Sequence, residues 1–211
     1  MTRTRASAGF PVRAAPAASN STKMRRAKRA TEPPYHLFVF GGSQGARQIN
    51  DAVVSLLPGL DPARYEWVHQ TGESDRARIA DAYARAGAKA EVVAFERNMA
   101  ARYAWADLVV CRSGAMTLAE LALAGRPALL VPLTHVGGGE QLENARERER
   151  LGAARVLDPA RDTGLELGEA LRELLGDPAR LRAMAASAAS LARPDAAEAI
   201  LAECRTLREV A

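Results

Sequence analysis

The amino-acid sequence predicts an α/β fold: a single doubly wound parallel sheet followed by C-terminal helices. Three observations carry this expectation. Short apolar runs alternate with helical patterns between residues 35 and 157. Glycines cluster where an apolar run gives way to a helix, as in FVFGGSQGARQIND at 38–51. After residue 160 only helical periodicity is found. Strands alternating with helices build a parallel sheet covered on both faces. Right-handed crossovers bring the strand-to-helix loops to one edge of such a sheet, and ligands bind there.

Strands are predicted at 35–40 (YHLFVF), 64–70 (RYEWVHQ), 90–95 (AEVVAF), 107–111 (DLVVC), 127–131 (PALLV) and 153–157 (AARVL). Each is short and bounded by turn or helix signals, and all but the mixed run at 64–70 are largely apolar. Helices fall between them at about 45–57, 74–86, 97–105, 116–124 and 139–151. Further on, DTGLELGEALRELLGD spaces its leucines for one helix face. DPARLRAMAASAASLA opens with Asp177 as N-cap and Pro178 at the first helical position. RPDAAEAILAECRTLREV follows a break at Pro194. These three read as packing helices. Residues 1–34, rich in Ala, Arg, Ser and Pro, read as a basic flexible linker, and 35–211 as the folded domain.

Composition narrows the function classes. The chain has 211 residues, room for one sizeable core plus extensions. Hydrophobic residues are 48% and charged residues 26%, as in ordinary globular proteins. No apolar run approaches the ~18–20 residues that span a bilayer. The net charge of +4 hides a split: residues 1–30 hold eight Lys or Arg and no acid, leaving 21 bases against 25 acids elsewhere. The basic segment reads as a solvated tail, a patch for anionic lipid or phosphate, or a nucleic-acid arm. The body has no basic stripe, so nucleic acid is not an expected partner. An apolar signal core is missing from the N-terminal segment. Cys111 lies in an apolar run and Cys204 in a terminal helix, without metal-ligand spacing. The expected location is the cytoplasm, with peripheral contact at the inner face of the cell membrane compatible with the composition.

Three loops are candidates for chemistry. Gly42, Ser43, Gln44 and Gly45 lie where a strand meets a helix. Such a loop lets backbone approach a phosphate at the positive end of the helix dipole. It matches neither GxGxxG nor the P-loop, and a tight turn without ligand explains it as well. CRSGAMTLAE at 111–120 again follows a strand. Thr117 and Glu120 fit a capping box, in which the carboxylate bonds back to the helix start. Alternatively, Glu120 accepts from a ribose diol, with Gly114 and Ala115 leaving room for a diphosphate. VPLTHVGGGEQLENA at 131–145 places glycines before Glu140 and Gln141, which suit sugar hydroxyls; a flexible surface loop is the alternative. His36 reads as structural, and His69 and His135 as loop-edge residues. No Ser/His/Asp set or carboxylate pair is evident, so no catalytic residue, metal or cofactor is expected.

Together, FGGSQGARQIN, HQTG, YAWADLVVCRSGAMTLAELALAGRPALLVPL and EQLENA…LGAA resemble the C-terminal half of the MurG family, over about residues 35–157. GFPVR at 9–13 resembles the family's hinge element. The family comprises the N-acetylglucosaminyltransferases of peptidoglycan (lipid II) synthesis. Its members have two Rossmann-like domains across a cleft, the GT-B arrangement. The resemblance implies that the chain is the UDP-N-acetylglucosamine-binding half. It places Arg13 near the donor, Ser43 beside the diphosphate, and Ala115, Met116, Thr117, Leu118, Ala119 and Glu120 around diphosphate and ribose. Glu140 and Gln141 would read the sugar, and the Glu96 backbone the uracil. The sequence departs from the family at Glu96, where familiar members are apolar, and at Glu140, where they carry Gln.

The implied reaction is inverting hexosyl transfer without metal. The acceptor site and base belong to the family's other half, so this chain is expected to bind donor without transferring it alone. A separate acceptor-binding chain is one expected partner, and the lipid-linked muramyl-pentapeptide would be met only through it. A non-catalytic UDP-sugar module, a truncated remnant and a sugar epimerase are the alternatives.

Overall fold

The computed structural model describes residues 32–133, 139–158 and 161–210. Arg13 and the rest of 9–13 lie outside the described residues, as does His135. Six strands run as β1 Tyr35–Phe40, β2 Tyr65–Gln70, β3 Lys89–Val93, β4 Leu108–Cys111, β5 Ala128–Leu130 and β6 Ala154–Val156. Eight α-helices accompany them among the described residues: α1 Arg47–Leu56, α2 Arg76–Arg85, α3 Met99–Trp105, α4 Ala115–Ala124, α5 Glu140–Arg150, α6 Thr163–Gly176, α7 Pro178–Ser190 and α8 Ala196–Val210. Every predicted strand and helix is present, with ends moved by at most three residues. Two short 3₁₀ turns, Leu57–Gly59 and Pro62–Arg64, follow α1 where the sequence pattern predicted none. Each has a proline at its start, where a missing N–H costs no hydrogen bond.

All strand pairs are parallel, and their order is β3-β2-β1-β4-β5-β6. The chain winds outward from β1 in one direction, then returns and winds in the other. β1 therefore separates two partners distant in sequence, pairing Leu37 with Trp67 on one side and Leu108 on the other. The junction between β1 and β4 is the switch point, where adjacent strand-to-helix loops diverge and leave a crevice.

Strand alternation divides the core in two. Leu37 and Val39 face one side with Trp67, Leu108, Val110 and Leu129, under α1, α2 and the Leu167–Leu171–Leu174 stripe of α6. Phe38 and Phe40 face the other, with Val109, Cys111 and Leu130, under Tyr103 of α3 and Leu118 and Leu121 of α4. This double coverage explains why β1 and β4 read as unbroken apolar runs. Full burial of one such side chain contributes roughly 1.5–3 kcal/mol. Tyr35 fastens the first layer by donating its hydroxyl to the Leu175 carbonyl at 2.8 Å. His36 is structural as expected: its backbone N–H donates to Asp107 Oδ2 at 2.9 Å and its ring stacks on Trp105.

Candidate active site at the switch point

The loop after β1 is shaped by a second glycine turn pressed against it. The Gly45 amide donates to the Gly42 carbonyl at 2.9 Å, closing a four-residue turn. Gln70 Nε2 donates to the same carbonyl at 2.6 Å. Gly45 has φ +78°, and a Cβ there would lie 1.9 Å from the Thr71 carbonyl oxygen. Gly72 has φ +79°, and its Cβ would lie 2.1 Å from the Gln44 carbonyl oxygen. Neither position accepts a side chain. At the tip of the turn Ser43 and Gln44 are exposed.

A buried polar chain holds the supporting turn. His69 is fully buried inside β2, so the expectation that it sits at a loop edge is corrected. Its Nε2 lies 3.0 Å from Asn50 Oδ1, and its Nδ1 lies 3.1 Å from the Tyr83 hydroxyl. Asn50 Nδ2 donates to the Thr71 carbonyl at 3.0 Å and to Asp75 Oδ2 at 2.8 Å. With the Asn50 amide nitrogen so placed, its oxygen accepts from His69 Nε2–H. His69 Nδ1 then accepts from Tyr83. Burial holds the imidazole neutral by lowering its pKa to about 3. Together these bonds fix Thr71–Gly72 under the glycine loop.

The loop after β4 contributes a cation and a second helix start. Arg112 Nη1 donates to Gln48 Oε1 and to the Val131 carbonyl, both at 2.9 Å. No carboxylate among the described residues pairs with this guanidinium. Burial lowers its pKa from the usual range, as expected of a cation without a partner. α4 opens on Gly114 with no side-chain cap and no acid in its first turn. The capping box expected from Thr117 and Glu120 is therefore not formed. The helix begins at Ala115, so Thr117 is already its third residue, and Glu120 Oε2 instead accepts from the Tyr103 hydroxyl at 2.8 Å. α1 likewise starts on Ala46 without a side-chain cap or first-turn acid. Two helix starts with free amides thus flank the crevice, a geometry suited to phosphate.

α5 closes the third side. Ser113 Oγ donates to the Gln141 carbonyl at 2.7 Å, and the Leu133 amide donates to Gln141 Oε1 at 3.1 Å. A cleft of ≈ 320 Å³ results. Among the predicted residues, Gly42, Gly45, Thr117 and Gln141 line it. Arg112 and Leu133 line it as well, although sequence reasoning did not single them out. Ser43, Gln44, Ala115, Met116, Ala119 and Glu140 are exposed, and Leu118 is buried in the core beneath α4. Glu96 sits apart from the cleft, on the loop after β3. Its carboxylate accepts from the Asn98 amide at 2.7 Å and from Arg102 Nε at 2.5 Å. Burial alone would raise its pKa, but the Asn98 amide and Arg102 outweigh it and hold the group below the ordinary carboxylate range. Among the described residues no cluster of His, Cys, Asp or Glu has the arrangement of a metal site.

Known proteins match this chain in sequence and in fold. The curated UDP-N-acetylglucosamine–N-acetylmuramyl-(pentapeptide) pyrophosphoryl-undecaprenol N-acetylglucosamine transferase of Nitratidesulfovibrio vulgaris (strain DP4) is 47% identical over 198 residues, 92% of this chain and 53% of that protein. The Syntrophotalea carbinolica protein of the same name is 49% identical over 174 residues, 81% of this chain and 49% of its own length. The chain thus spans about half the length of the curated relatives it matches. The crystal structure of Acinetobacter baumannii MurG superposes with a TM-score of 0.77 at 30% identity, over 85% of this chain and 54% of that one. A UDP-GlcNAc 2-epimerase from Neisseria meningitidis, at 13% identity and TM-score 0.56, shares the fold. The sheet is thus the Rossmann-like layer of the GT-B fold, and the resemblance to the C-terminal half of MurG holds. The model of the glycosyltransferase family 28 C-terminal domain matches residues 36–200, and the chain belongs to that family.

Proposed function

We propose that this chain binds UDP-N-acetylglucosamine as the donor half of an inverting N-acetylglucosaminyltransferase of lipid II synthesis. The observation that carries the reading is the cleft between β1 and β4, where two uncapped helix starts and the unpaired Arg112 converge. The names of the relatives supply the donor and acceptor.

In this reading the diphosphate lies against the free amides of α1 and α4, with Arg112 as counter-charge. Glu120 accepts from the ribose hydroxyls, and the backbone beside Glu96 meets the uracil. Gln141 and Glu140 face the N-acetylglucosamine, while Ser43 and Arg13 approach the donor from the loop tip and the N-terminal segment. In the transfer, the acceptor hydroxyl oxygen bonds to the anomeric carbon from the side opposite UDP. The anomeric carbon–oxygen bond to UDP breaks, and negative charge grows on the leaving diphosphate. Helix amides and a guanidinium fixed before the reaction stabilise that charge without reorganising.

Among the described residues, the cleft's lining has amide, hydroxyl and guanidinium groups, but neither carboxylate nor imidazole. The base that takes the acceptor's proton therefore comes from elsewhere, and we place it on a separate acceptor-binding partner. Binding without turnover is the expected behaviour of the chain alone. No helix among the described residues is long and apolar enough to cross a membrane. The basic segment at 1–30 suits the anionic inner leaflet, at about 1 kcal/mol per Lys or Arg near the surface.

Calorimetric titration of the chain with UDP-N-acetylglucosamine, beside the Ser43→Ala, Glu120→Ala double variant, tests this. Saturable binding that the variant loses, with no sugar released, is the expected result. A folded chain that takes up neither UDP nor the sugar nucleotide would sink the proposal.

A further inference from the structure

We infer that Tyr103 is a positioning residue: it sets the orientation of the Glu120 carboxylate and through it selects a nucleotide that carries a ribose 2′-hydroxyl. The inference rests on the proposed donor-binding function and deepens it.

The geometry is that of a fixed donor. Tyr103 is 2% exposed, and its ring stands edge-on to Phe38 at 74° and to Phe40 at 69°. Both phenylalanines belong to the central strand, and stack on each other with centroids 4.8 Å apart. Asn98 caps the helix that carries Tyr103 by accepting from the Ala101 amide at 3.2 Å. Ring and backbone are therefore both held, leaving the phenol proton little freedom. It is donated to Glu120 Oε2 at 2.8 Å. Burial, with Glu120 beside it, raises the phenol pKa well above its usual value, so it stays a donor at any working pH.

The consequence follows from how a carboxylate shares its lone pairs. An ionised Glu is acceptor-only, with two oxygens. The phenol engages Oε2, and Oε1 has no hydrogen-bond donor among the described residues. Glu120 lies one turn into α4, the helix whose open start borders the cleft. A glutamate free in solution loses rotamer entropy when a ligand orders it. Here the phenol has ordered it already, so a hydroxyl presented to Oε1 does not bear that cost. Nothing in the mechanism otherwise uses a tyrosine placed behind the carboxylate.

The full chain and its Tyr103→Phe variant are to be titrated with UDP and with 2′-deoxy-UDP. The unaltered chain is expected to prefer UDP by about tenfold, the scale of one hydrogen bond to a charged group. In Tyr103→Phe the preference should shrink to about twofold, with affinity for 2′-deoxy-UDP little changed. A purely structural tyrosine would weaken both nucleotides alike and leave the ratio intact; that result overturns the inference. An unaltered chain that binds both equally overturns it too, while the donor-binding proposal stands. An unaltered chain that binds neither removes both. Should the variant not fold, Tyr103 Cζ in ¹³C-tyrosine-labelled unaltered chain serves instead. Its resonance should move on saturation with UDP and markedly less with 2′-deoxy-UDP; equal movement refutes the role.

Discussion

α4 and α7 are of similar length and lie against each other, yet they begin in opposite ways. α7 starts on Asp177, whose carboxylate accepts from the Ala179 and Arg180 amides, each at 3.0 Å, with Pro178 removing a further N–H. α4 starts on Gly114 and leaves its amides free. The same contrast separates α6, capped by Asp162 through the Leu165 amide, from α1, which no side chain caps. α3 is capped by Asn98, α5 has Glu140 and Glu143 in its first turn, and α2 opens on the carboxylate-bearing Asp75. Among the described residues, only the two helices at the switch point lack both a side-chain cap and a nearby acid. A cap typically stabilises a protein by about 1 kcal/mol. α3, α6 and α7 take that gain; α1 and α4 forgo it, and in the function proposed above their amides serve the diphosphate.

The comparison breaks most severely if the turn that sets the α1 start is forced apart. Gly45→Val puts a branched side chain where even a Cβ lies 1.9 Å from the Thr71 carbonyl, at positive φ. We expect a loss of about 3 kcal/mol in denaturant unfolding, together with loss of nucleotide binding. A sharper test exchanges the two kinds of helix start. Gly114 has N-cap dihedrals already and open space around its missing Cβ. Gly114→Asp should raise stability by a few tenths of a kcal/mol while weakening UDP by at least ~10-fold, since the new carboxylate takes the amides and repels the diphosphate. Asp177→Ala should do the reverse, losing about 1 kcal/mol with UDP affinity unchanged. Should Gly114→Asp bind UDP as tightly as the parent, the open start of α4 has no part in recognition.

A separate test uses pH. The His69 pKa falls from 6.5 to about 3 on folding, so between these values the unfolded chain binds the proton and the folded chain does not. Stability is therefore complete above pH 6.5 and declines as pH falls, by at most about 1.4 kcal/mol per unit from this one group. Between pH 6.5 and 5 most carboxylates remain ionised, so the slope in that window belongs chiefly to His69. His69→Gln should start from lower stability but flatten the slope, which urea unfolding at several pH values measures.

The order and kind of elements were legible because each strand of a doubly wound sheet is buried on both faces. VVC at 109–111 cannot lie at a surface, and the adjoining helices announce themselves by period. Asp177 and Pro178 were legible because their signal is local. The misreadings share a cause, in that they depended on residues far along the chain. Thr117 and Glu120 have capping-box spacing, but spacing does not say where the helix starts, and Tyr103 from another helix claims the carboxylate. His69 ends a mixed polar run, and only Asn50 and Tyr83, 19 and 14 residues away, make its burial tolerable. Arg112 follows a strand like many a surface arginine. Its signal was the lack of any acid near it in CRSGAMT, which becomes informative once the fold has buried the side chain.

The strand order bears on how the protein is made. β1 leaves the ribosome first among the strands, yet its position is the middle of the sheet, and its second partner, β4, ends only at Cys111. At ~5–20 residues per second, synthesis of that intervening stretch takes on the order of 10 s. Throughout that interval YHLFVF is an unfinished edge, apolar on both sides and open to other chains. A chaperone that binds extended apolar segments would find a target here. Slowing translation ahead of residue 108 should raise aggregation more than the same pause placed after it.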